Sequence, residues 1–291
     1  MEEMNEISII IPYHNAEMYI EKCINSALSQ NVDKQIICVD DCSDDNTSAV
    51  IKRMMEYTPS IQVVKNDKNI GAGLSRNVGM DHADGEFICF LDADDYYPDK
   101  GCLCELIRQA NENQVNISGG LRYWDCDGEL IEHPLHRKLI SDNPEGVKIR
   151  FSDYQEDYHF HSYIYRRKMI SDNNIRFPGY SRYEDPVFFT KAMVLSDFFY
   201  VIPREVYCYR KHNNMSNINV EDLLRGIEDV ATIAHNYQLN KLKNVLTKRI
   251  QREYFECIKH SLEIDNKTIV RLKRLEELLE VDLISCFIEK K

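Results

Sequence analysis

Short apolar runs alternate with helix-like segments along the first 120 residues. The apolar runs predict buried strands at 7–11, 35–39, 61–64, 87–91 and 115–118. Between the first two runs, Ile20, Ile24 and Leu28 recur every four residues, which is the spacing of one helical face. Strands that alternate with helices at this spacing indicate βαβ units. We therefore predict an α/β fold whose mostly parallel sheet is flanked by helices on both faces.

The pattern changes after residue 120. Residues 121–219 hold aromatic and polar loops with little periodicity, whereas residues 220–291 have the periodicity of helices. We predict a domain over residues 1–219 and a helical C-terminal module over residues 220–291. The apolar faces of that module must be buried against the first domain, a second copy of the chain or a partner; we favour packing on the first domain, and a homodimer stays open.

Polar segments follow four of the predicted strands at the point where each strand ends. Their sequences are PYHN (12–15), DDCSDD (40–45), NDKN (66–69) and DADD (92–95). In open α/β sheets, ligands bind beyond the carboxyl ends of the strands. We therefore expect these four segments to converge on one ligand-binding rim.

The DADD segment places three carboxylates within four positions. Hard cations such as Mg²⁺ and Mn²⁺ prefer oxygen ligands, and a cation held by one or two carboxylates keeps positions open for phosphate oxygens. A solvated turn rich in aspartate explains the same residues. The segment alone leaves both interpretations open.

Composition narrows the classes of partner and compartment. The net charge of −12 argues against a nucleic-acid partner, because no net cationic surface attracts a phosphate backbone. No run approaches the roughly 20 apolar residues that a membrane span needs, and the acidic start has no signal-peptide pattern. We predict a cytoplasmic protein without a membrane span, for which association with a membrane surface stays open.

Six motifs in a fixed order resemble those of the family 2 glycosyltransferases, which have the GT-A fold. The resemblance covers about residues 7–216, through IIIPYHN (9–15), ICVDDCSDDNT (37–47), NIGAGLSRNVG (69–79), FLDADD (90–95), RYEDPVFF (182–189) and YRKHNNMS (209–216). It implies a hexosyltransferase-type enzyme that uses a nucleotide-diphosphate sugar, with a UDP-sugar as the expected donor, and Mn²⁺ or Mg²⁺ as cofactor. Residues 1–120 would bind the donor, and residues 121–219 would bind the acceptor and supply the base.

The resemblance also implies which residues bind the donor. The nucleoside would be contacted by Pro12, Tyr13, Asn15, Asp40, Asp41 and Asp67. Gly71 would allow a close backbone approach, and Arg76 would lie near the nucleotide. Asp92 and Ala93 would lie near the ribose, and Arg210 near the pyrophosphate. The metal ligands would be Asp94, Asp92 and His212.

The catalytic base is implied by the E-D pair of the RYEDPVFF motif. By the resemblance, Asp185 would take the proton of the acceptor hydroxyl, and Glu184 would orient the acceptor or the backbone. Such a reaction inverts the configuration at the anomeric carbon. The acceptor class is a saccharide or a lipid-linked saccharide, in polysaccharide or glycan assembly.

Further residues of the middle segment have weaker signals. His159 and His161 would share a face on a strand, but no third metal ligand is evident nearby, so we assign them to the surface or to the acceptor site rather than to a metal. Tyr123 and Trp124 could stack on a sugar ring or pack in the core.

Three other classes of protein share parts of this pattern. A haloacid-dehalogenase-like phosphatase also places D-x-D after an apolar strand, but it normally has Thr or Val two places on, where this chain has Tyr96. A nucleotidyltransferase would need a glycine-rich basic loop after the first strand. A catalytically inactive module that binds nucleotide sugars stays open.

Overall fold

The computed structural model describes residues 5–132, 142–211, 219–254 and 266–283. Its strands are β1 (Ile7–Tyr13), β2 (Lys34–Asp40), β3 (Ile61–Lys65), β4 (Phe87–Phe90), β5 (Ile117–Cys126), β6 (Glu129–Glu132), β7 (Val147–Arg150), β8 (Tyr163–Arg166) and β9 (Phe198–Arg210). Its helices are α1 (Ile20–Leu28), α2 (Thr47–Met55), α3 (Ala72–Asp81), α4 (Cys102–Glu112), α5 (Phe151–Tyr154), α6 (Arg167–Asp172), α7 (Glu184–Ser196), α8 (Val220–Asn236), α9 (Asn240–Arg249) and α10 (Asn266–Leu279). A 3₁₀ turn at Phe160–Ser162 precedes β8, and a π-helical turn at Ile250–Tyr254 follows α9.

The strands form one sheet in the order β3-β2-β1-β4-β8-β5-β9-β7, with β6 paired to the free part of β5. Strands β1 to β4 are mutually parallel, as the alternation of strands and helices predicted. Strand β8 is antiparallel to both β4 and β5 and separates them. The mostly parallel sheet is therefore confirmed, with an antiparallel strand inserted at its centre.

Helices cover both faces of the sheet, which explains why β1 is buried along its whole length. Ile9 and Ile11 pack on one face, in a cluster that also contains Ile24 of α1. Ile10 packs on the opposite face, in a second cluster that contains Phe188 of α7. Successive side chains of a strand point to opposite faces, so a strand between two helical layers is buried at every position and is mostly apolar.

The segment after residue 120 is more regular than its sequence indicated. Strand β5 continues to Cys126, and β9 runs for 13 residues, parallel to β5. The pairing is interrupted by register shifts around Leu121, opposite the polar part of β9 that includes Glu205. This irregularity breaks the alternation of apolar and polar residues by which a strand is recognised.

The C-terminal helices pack on the same core as the sheet. Leu223, Ile227 and Val230 of α8 are fully buried in the cluster that also contains Phe188. This packing buries the apolar face that the sequence predicted. None of the helices in the described ranges is long and apolar enough to cross a lipid bilayer.

Gly226 allows α8 to approach the segment that precedes α7. A Cβ atom at this position would lie 2.7 Å from Tyr183 Cβ and 2.8 Å from the Tyr183 carbonyl oxygen. We expect Gly226→Ala to lower the free energy of unfolding by about 1–3 kcal/mol, because overpacking against backbone outweighs the gain in helix propensity. Urea denaturation measures the change.

Gly179→Ala is the matched control for this prediction. A Cβ atom there would lie 3.4 Å from Leu74 Cδ1, which is ordinary contact, so the free energy of unfolding should stay within about 0.5 kcal/mol of wild type. Equal effects of the two substitutions would show that the contact between α8 and Tyr183 is not tight.

Candidate active site

Two cavities meet at the carboxyl ends of the parallel strands. The rim cavity, of about 330 Å³, is lined by Pro12, Tyr13, His14, Asn15, Ala16, Tyr19, Ala72, Arg76, Asp92, Ala93 and Asp94. The inner cavity, of about 650 Å³, is lined by Arg76, Asp92, Arg122, Trp124, Tyr158, His159, Phe160, His161, Ser181, Arg182, Tyr183, Glu184, Asp185, Tyr209 and Arg252. Arg76 and Asp92 belong to both linings, so they form the boundary between the two cavities.

The loop after β1 is held by the loop after β2. Asn15 has a left-handed backbone with φ of 52°, and its side-chain oxygen accepts a hydrogen bond from Asp44 N at 2.9 Å. The backbone amide of Ala16 donates to Thr47 Oγ1 at 2.8 Å. These contacts keep Pro12, Tyr13 and Asn15 on the lining of the rim cavity, where the sequence placed them.

Asp40 and Asp41 brace the loops around the rim cavity. The carboxylate of Asp40 accepts hydrogen bonds from Ser43 N at 2.8 Å and Ser48 Oγ at 3.1 Å. The carboxylate of Asp41 accepts hydrogen bonds from the backbone amides of Ile70 and Gly71, both at 2.8 Å. Both aspartates are buried and neither lines the cavity, so their contact with a nucleoside stays a prediction.

The two other predicted residues of this region, Gly71 and Asp67, do not themselves line the rim cavity. Gly71 has φ of 87°, a conformation that favours glycine, and the next residue, Ala72, lines the cavity. Asp67 is exposed and does not belong to the lining. Contact of either residue with a ligand stays a prediction.

Two carboxyl groups of the DADD segment, those of Asp92 and Asp95, have partners within the protein. Arg76 Nη2 lies 2.7 Å from Asp92 Oδ1. Burial alone would raise the pKa of Asp92, but the guanidinium of Arg76 holds that pKa below its usual value. Asp95 accepts hydrogen bonds from Tyr207 Oη and Arg210 N, both at 2.7 Å. Burial, with the charges of Asp92 and Asp94, raises the pKa of Asp95 well above its usual value.

Arg210 brings a cation next to the same segment. Its Nε donates to the carbonyl oxygen of Asp94 at 2.9 Å, and its guanidinium lies 4.9 Å from the ring centre of Tyr19. Tyr19 and Asp94 both line the rim cavity. Arg210 is therefore close to the position that the sequence predicted for it. His212 lies outside the described residues.

The residues of the rim cavity fit a hard cation in part. Asp92 and Asp94 supply carboxylate oxygens, which Mg²⁺ and Mn²⁺ prefer. Asp92 is paired with Arg76, however, and the described part of the chain contains no group of three or more His, Cys, Asp or Glu side chains that could hold a metal. A cation at Asp94 would therefore need further oxygen ligands from a bound diphosphate.

The acidic pair at the start of α7 lines the inner cavity. Glu184 Oε1 lies 3.3 Å from Arg76 Nη1, and Asp185 is half-buried beside it. Burial and the negative charge of Glu184 raise the pKa of Asp185 to about 8, against the opposing effect of Arg76. A carboxylate with a raised pKa is a stronger base than an ordinary aspartate, and this is the property that proton abstraction requires.

Tyr183, the residue before this pair, is held by the C-terminal helices. It has φ of 70°, and its hydroxyl donates to the buried Asp157. Asp157 also accepts a hydrogen bond from Arg249 Nη2 at 3.0 Å, and Arg249 lies 3.7 Å over the ring of Tyr158. No local motif predicted Arg249 or Asp157, because they meet only through the tertiary packing of α9.

Several residues of the inner cavity had weak or no signals in the sequence. His161 lies 4.3 Å from Tyr207 between ring centres, and its Nε2 accepts from Arg122 Nη1 at 3.2 Å. Trp124 and His159 line the cavity as well, whereas Tyr123 does not. The structure thus places both histidines and Trp124 on the lining of the inner cavity, and their contact with an acceptor stays a prediction. Arg122 was not identified in the sequence.

Comparison with known proteins gives a consistent family and fold. The family described as Glycosyl transferase family 2 matches residues 8–174. The chain is 26% identical over 258 residues to the poly(ribitol-phosphate) beta-glucosyltransferase of Bacillus spizizenii, which covers 82% of this chain but 38% of that protein.

Solved structures show the fold. The crystal structure of S. aureus TarS 1-349 in complex with UDP-GlcNAc superimposes with a TM-score of 0.78 at 20% identity, covering 94% of this chain and 81% of that chain. Mannosyltransferase PcManGT from Pyrobaculum calidifontis, in complex with GDP-Man and Mn²⁺, superimposes with a TM-score of 0.56 at 16% identity, covering 96% of this chain and 75% of that chain.

The family match covers more than half of the chain, and the sheet order, the motifs and the superpositions agree with it. The resemblance noted in the sequence is confirmed at the level of family and fold. The chain belongs to glycosyl transferase family 2 and has the GT-A fold.

Proposed function

We propose that this protein transfers a sugar from a nucleotide-diphosphate sugar to a hydroxyl group of a saccharide or lipid-linked saccharide. UDP-sugars are the proposed donor class, and Mg²⁺ or Mn²⁺ is the proposed cofactor. The transfer inverts the configuration at the anomeric carbon. The observation that carries the proposal is the boundary between the cavities: Arg76 pairs with Asp92 on one side and with Glu184, next to Asp185, on the other. A donor in the rim cavity would present its sugar to an acceptor in the inner cavity at this boundary.

The rim cavity has the chemistry of a nucleotide site. Tyr13 and Tyr19 offer aromatic surface for a base, and Arg210 offers a cation beside Asp94 for a diphosphate. A divalent cation held by Asp94, with Asp92 as a second ligand and His212 as a third candidate, would stabilise the negative charge of the departing diphosphate. The complexes of TarS with UDP-GlcNAc and of PcManGT with GDP-Man and Mn²⁺ support this assignment.

The inner cavity supplies the base. As the acceptor oxygen bonds to the anomeric carbon, the bond from that carbon to the nucleotide diphosphate breaks, and Asp185 takes the acceptor proton. The attack comes from the face opposite the departing group, so a single displacement inverts the configuration. Arg76 positions Glu184 and Asp92 on the two sides of the reacting centre.

The alternatives agree less well with this geometry. A phosphatase of the haloacid-dehalogenase class needs Asp92 as a nucleophile, but Asp92 is neutralised by Arg76, and the chain belongs to another family. An inactive binding module has no need for a carboxyl group with the raised pKa of Asp185.

Removal of the metal should weaken nucleotide binding. We expect EDTA or Asp94→Ala to weaken UDP binding, measured by calorimetry, at least about tenfold relative to wild type with Mg²⁺, because the diphosphate then lacks its counter-charge. Asp172→Ala is the matched control, because Asp172 is an exposed carboxylate paired with Lys168 on α6. Unchanged UDP affinity after both treatments would contradict the metal role.

The rate should depend on pH through Asp185. Because the pKa of Asp185 is raised to about 8 and the ionised form is the base, kcat/KM for the donor should rise with pH and level off above about 8. Glu184→Gln removes a negative charge that raises this pKa, so the rising limb should move to lower pH. A flat profile between pH 6 and 9, or a shift to higher pH in the variant, would exclude Asp185 as the titrating group.

A further inference from the structure

Arg122 is a half-buried cation without a carboxylate partner among the described residues. No Asp or Glu of the described ranges lies within ion-pair distance of it, in contrast to Arg76 and Arg249. Of its five N–H donors, one forms a hydrogen bond to a described residue: Arg122 Nη1 donates to His161 Nε2 at 3.2 Å. The Nε atom is buried without a hydrogen-bond partner in this part of the chain. Folding has therefore placed an incompletely paired guanidinium on the wall of the inner cavity.

The surroundings of Arg122 do not neutralise it. Its guanidinium lies 5.3 Å from the ring centre of Tyr209. Burial lowers the pKa of Arg122 to about 10, against the effects of Tyr209, Tyr207 and Asp95, so it stays charged at neutral pH. Asp95 already accepts hydrogen bonds from Tyr207 and the Arg210 backbone. Because Arg122 donates to Nε2, His161 acts as a neutral acceptor and adds no negative charge.

The lining of the same cavity includes further cations and an aromatic side chain. Arg182 and Arg252 also line the inner cavity. Trp124 lies two residues after Arg122 on β5, hence on the same face of the strand, and Lys211 Nζ is 5.1 Å from its ring centre. Of the three acidic residues that line this cavity, Asp92 and Glu184 are paired with Arg76 at the boundary with the rim cavity, and Asp185 follows Glu184 at the same boundary.

We propose that the acceptor carries an oxyanion, either a phosphate ester or a sugar carboxylate, which Arg122 binds while Trp124 contacts the adjoining sugar or polyol. This inference rests on the proposed function, because it names the class of substrate that the inner cavity takes. A planar guanidinium fork matches both kinds of oxyanion, and binding adds hydrogen bonds that the described residues do not supply to Arg122. In a protein with a net charge of −12, such a local concentration of arginines selects for an anionic acceptor.

The single tryptophan of the chain makes this testable, because Trp124 lines the proposed site. Its fluorescence is recorded while glycerol 1-phosphate, glucuronate or glucose is added at constant ionic strength. We expect a saturable change with glycerol 1-phosphate, glucuronate or both, and none with glucose over the same concentrations. A comparison of the affinities for glycerol 1-phosphate and glucuronate shows whether the site prefers a phosphate ester or a sugar carboxylate. An equal response to glucose would overturn the proposal.

Two substitutions connect the response to Arg122. Arg122→Gln should weaken the binding of the anion at least about tenfold, and Arg122→Lys should give an intermediate loss because it keeps the charge but not the fork. Arg150→Gln is the control, because Arg150 is an exposed arginine outside both cavities. Thermal unfolding confirms that each variant is folded. A response unchanged in both Arg122 variants would overturn the proposal.

UDP binding to the wild-type protein separates this inference from the proposed function. If the protein binds UDP but neither anion in an Arg122-dependent way, only the assignment of the acceptor fails. If the protein does not bind UDP, the proposed function fails whatever the anions do.

Discussion

Replacing Asp185 with Asn should lower the rate of sugar transfer at least about 100-fold while UDP affinity stays within about twofold of wild type. The amide cannot take a proton from the acceptor hydroxyl, whereas the rim cavity, where UDP is proposed to bind, does not include this side chain. Steady-state transfer assays with the donor, together with UDP calorimetry, measure the two effects separately. The expected loss is in kcat, because proton transfer occurs only in the transition state.

Glu184→Gln is the comparison for this prediction. It alters the neighbouring carboxylate, which pairs with Arg76, and should leave the base in place. Transfer by Asp185→Asn within a few-fold of wild type would remove Asp185 from the mechanism, and a larger loss in Glu184→Gln than in Asp185→Asn would assign the base to Glu184.

Arg76→Met is the second substitution with a large expected effect. Arg76 is buried, and its removal leaves Asp92 and Glu184 facing Asp185 without a counter-charge. We expect the free energy of unfolding to fall by about 3 kcal/mol, at the lower end of the range for a broken buried ion pair because Asp92 keeps some exposure. Transfer should be lost as well, because the boundary between the cavities is no longer fixed.

Arg176→Met is the matched control. Arg176 Nη2 lies 2.7 Å from Asp81 Oδ1, but both side chains are exposed, so the free energy of unfolding should change by less than about 1 kcal/mol. If urea denaturation gave the same decrease in the free energy of unfolding for Arg76→Met and Arg176→Met, the ion pairs of Arg76 at the cavity boundary would not stabilise the fold.

The sequence was sufficient for the parallel half of the fold and for the rim. Strands β1 to β4 are nearly continuous apolar runs, and in a parallel sheet their carboxyl ends share one edge, so Pro12, Asn15 and Asp94 could be placed together without coordinates. Asp185 could be proposed as the base because it stands beside Glu184 in a motif. A local sequence pattern is enough to locate site residues when they follow directly on one strand or lie in one turn.

The inner cavity could not be predicted in the same way. Arg122, His161 and Tyr209 come from β5, the 3₁₀ turn before β8, and β9, and they meet because of strand order rather than sequence spacing. Strand β9 was missed because its central part, with Pro203 and Glu205, pairs with β5 through register shifts. For Asp40 and Asp41 the sequence predicts contact with the nucleoside. The structure shows instead that their carboxylates accept hydrogen bonds from backbone amides of the neighbouring loops.

Analysis of the products formed from UDP-sugars tests the central claim most directly. The protein is incubated with Mg²⁺ or Mn²⁺ and a panel of UDP-sugars, with water as the acceptor. The nucleotides that form are then separated by anion exchange. We predict that at least one donor yields UDP together with free sugar, and that this turnover is lost in Asp94→Ala. Formation of UMP or inorganic phosphate instead, or no turnover of any donor in the panel, would contradict the assignment as a glycosyltransferase that uses UDP-sugars.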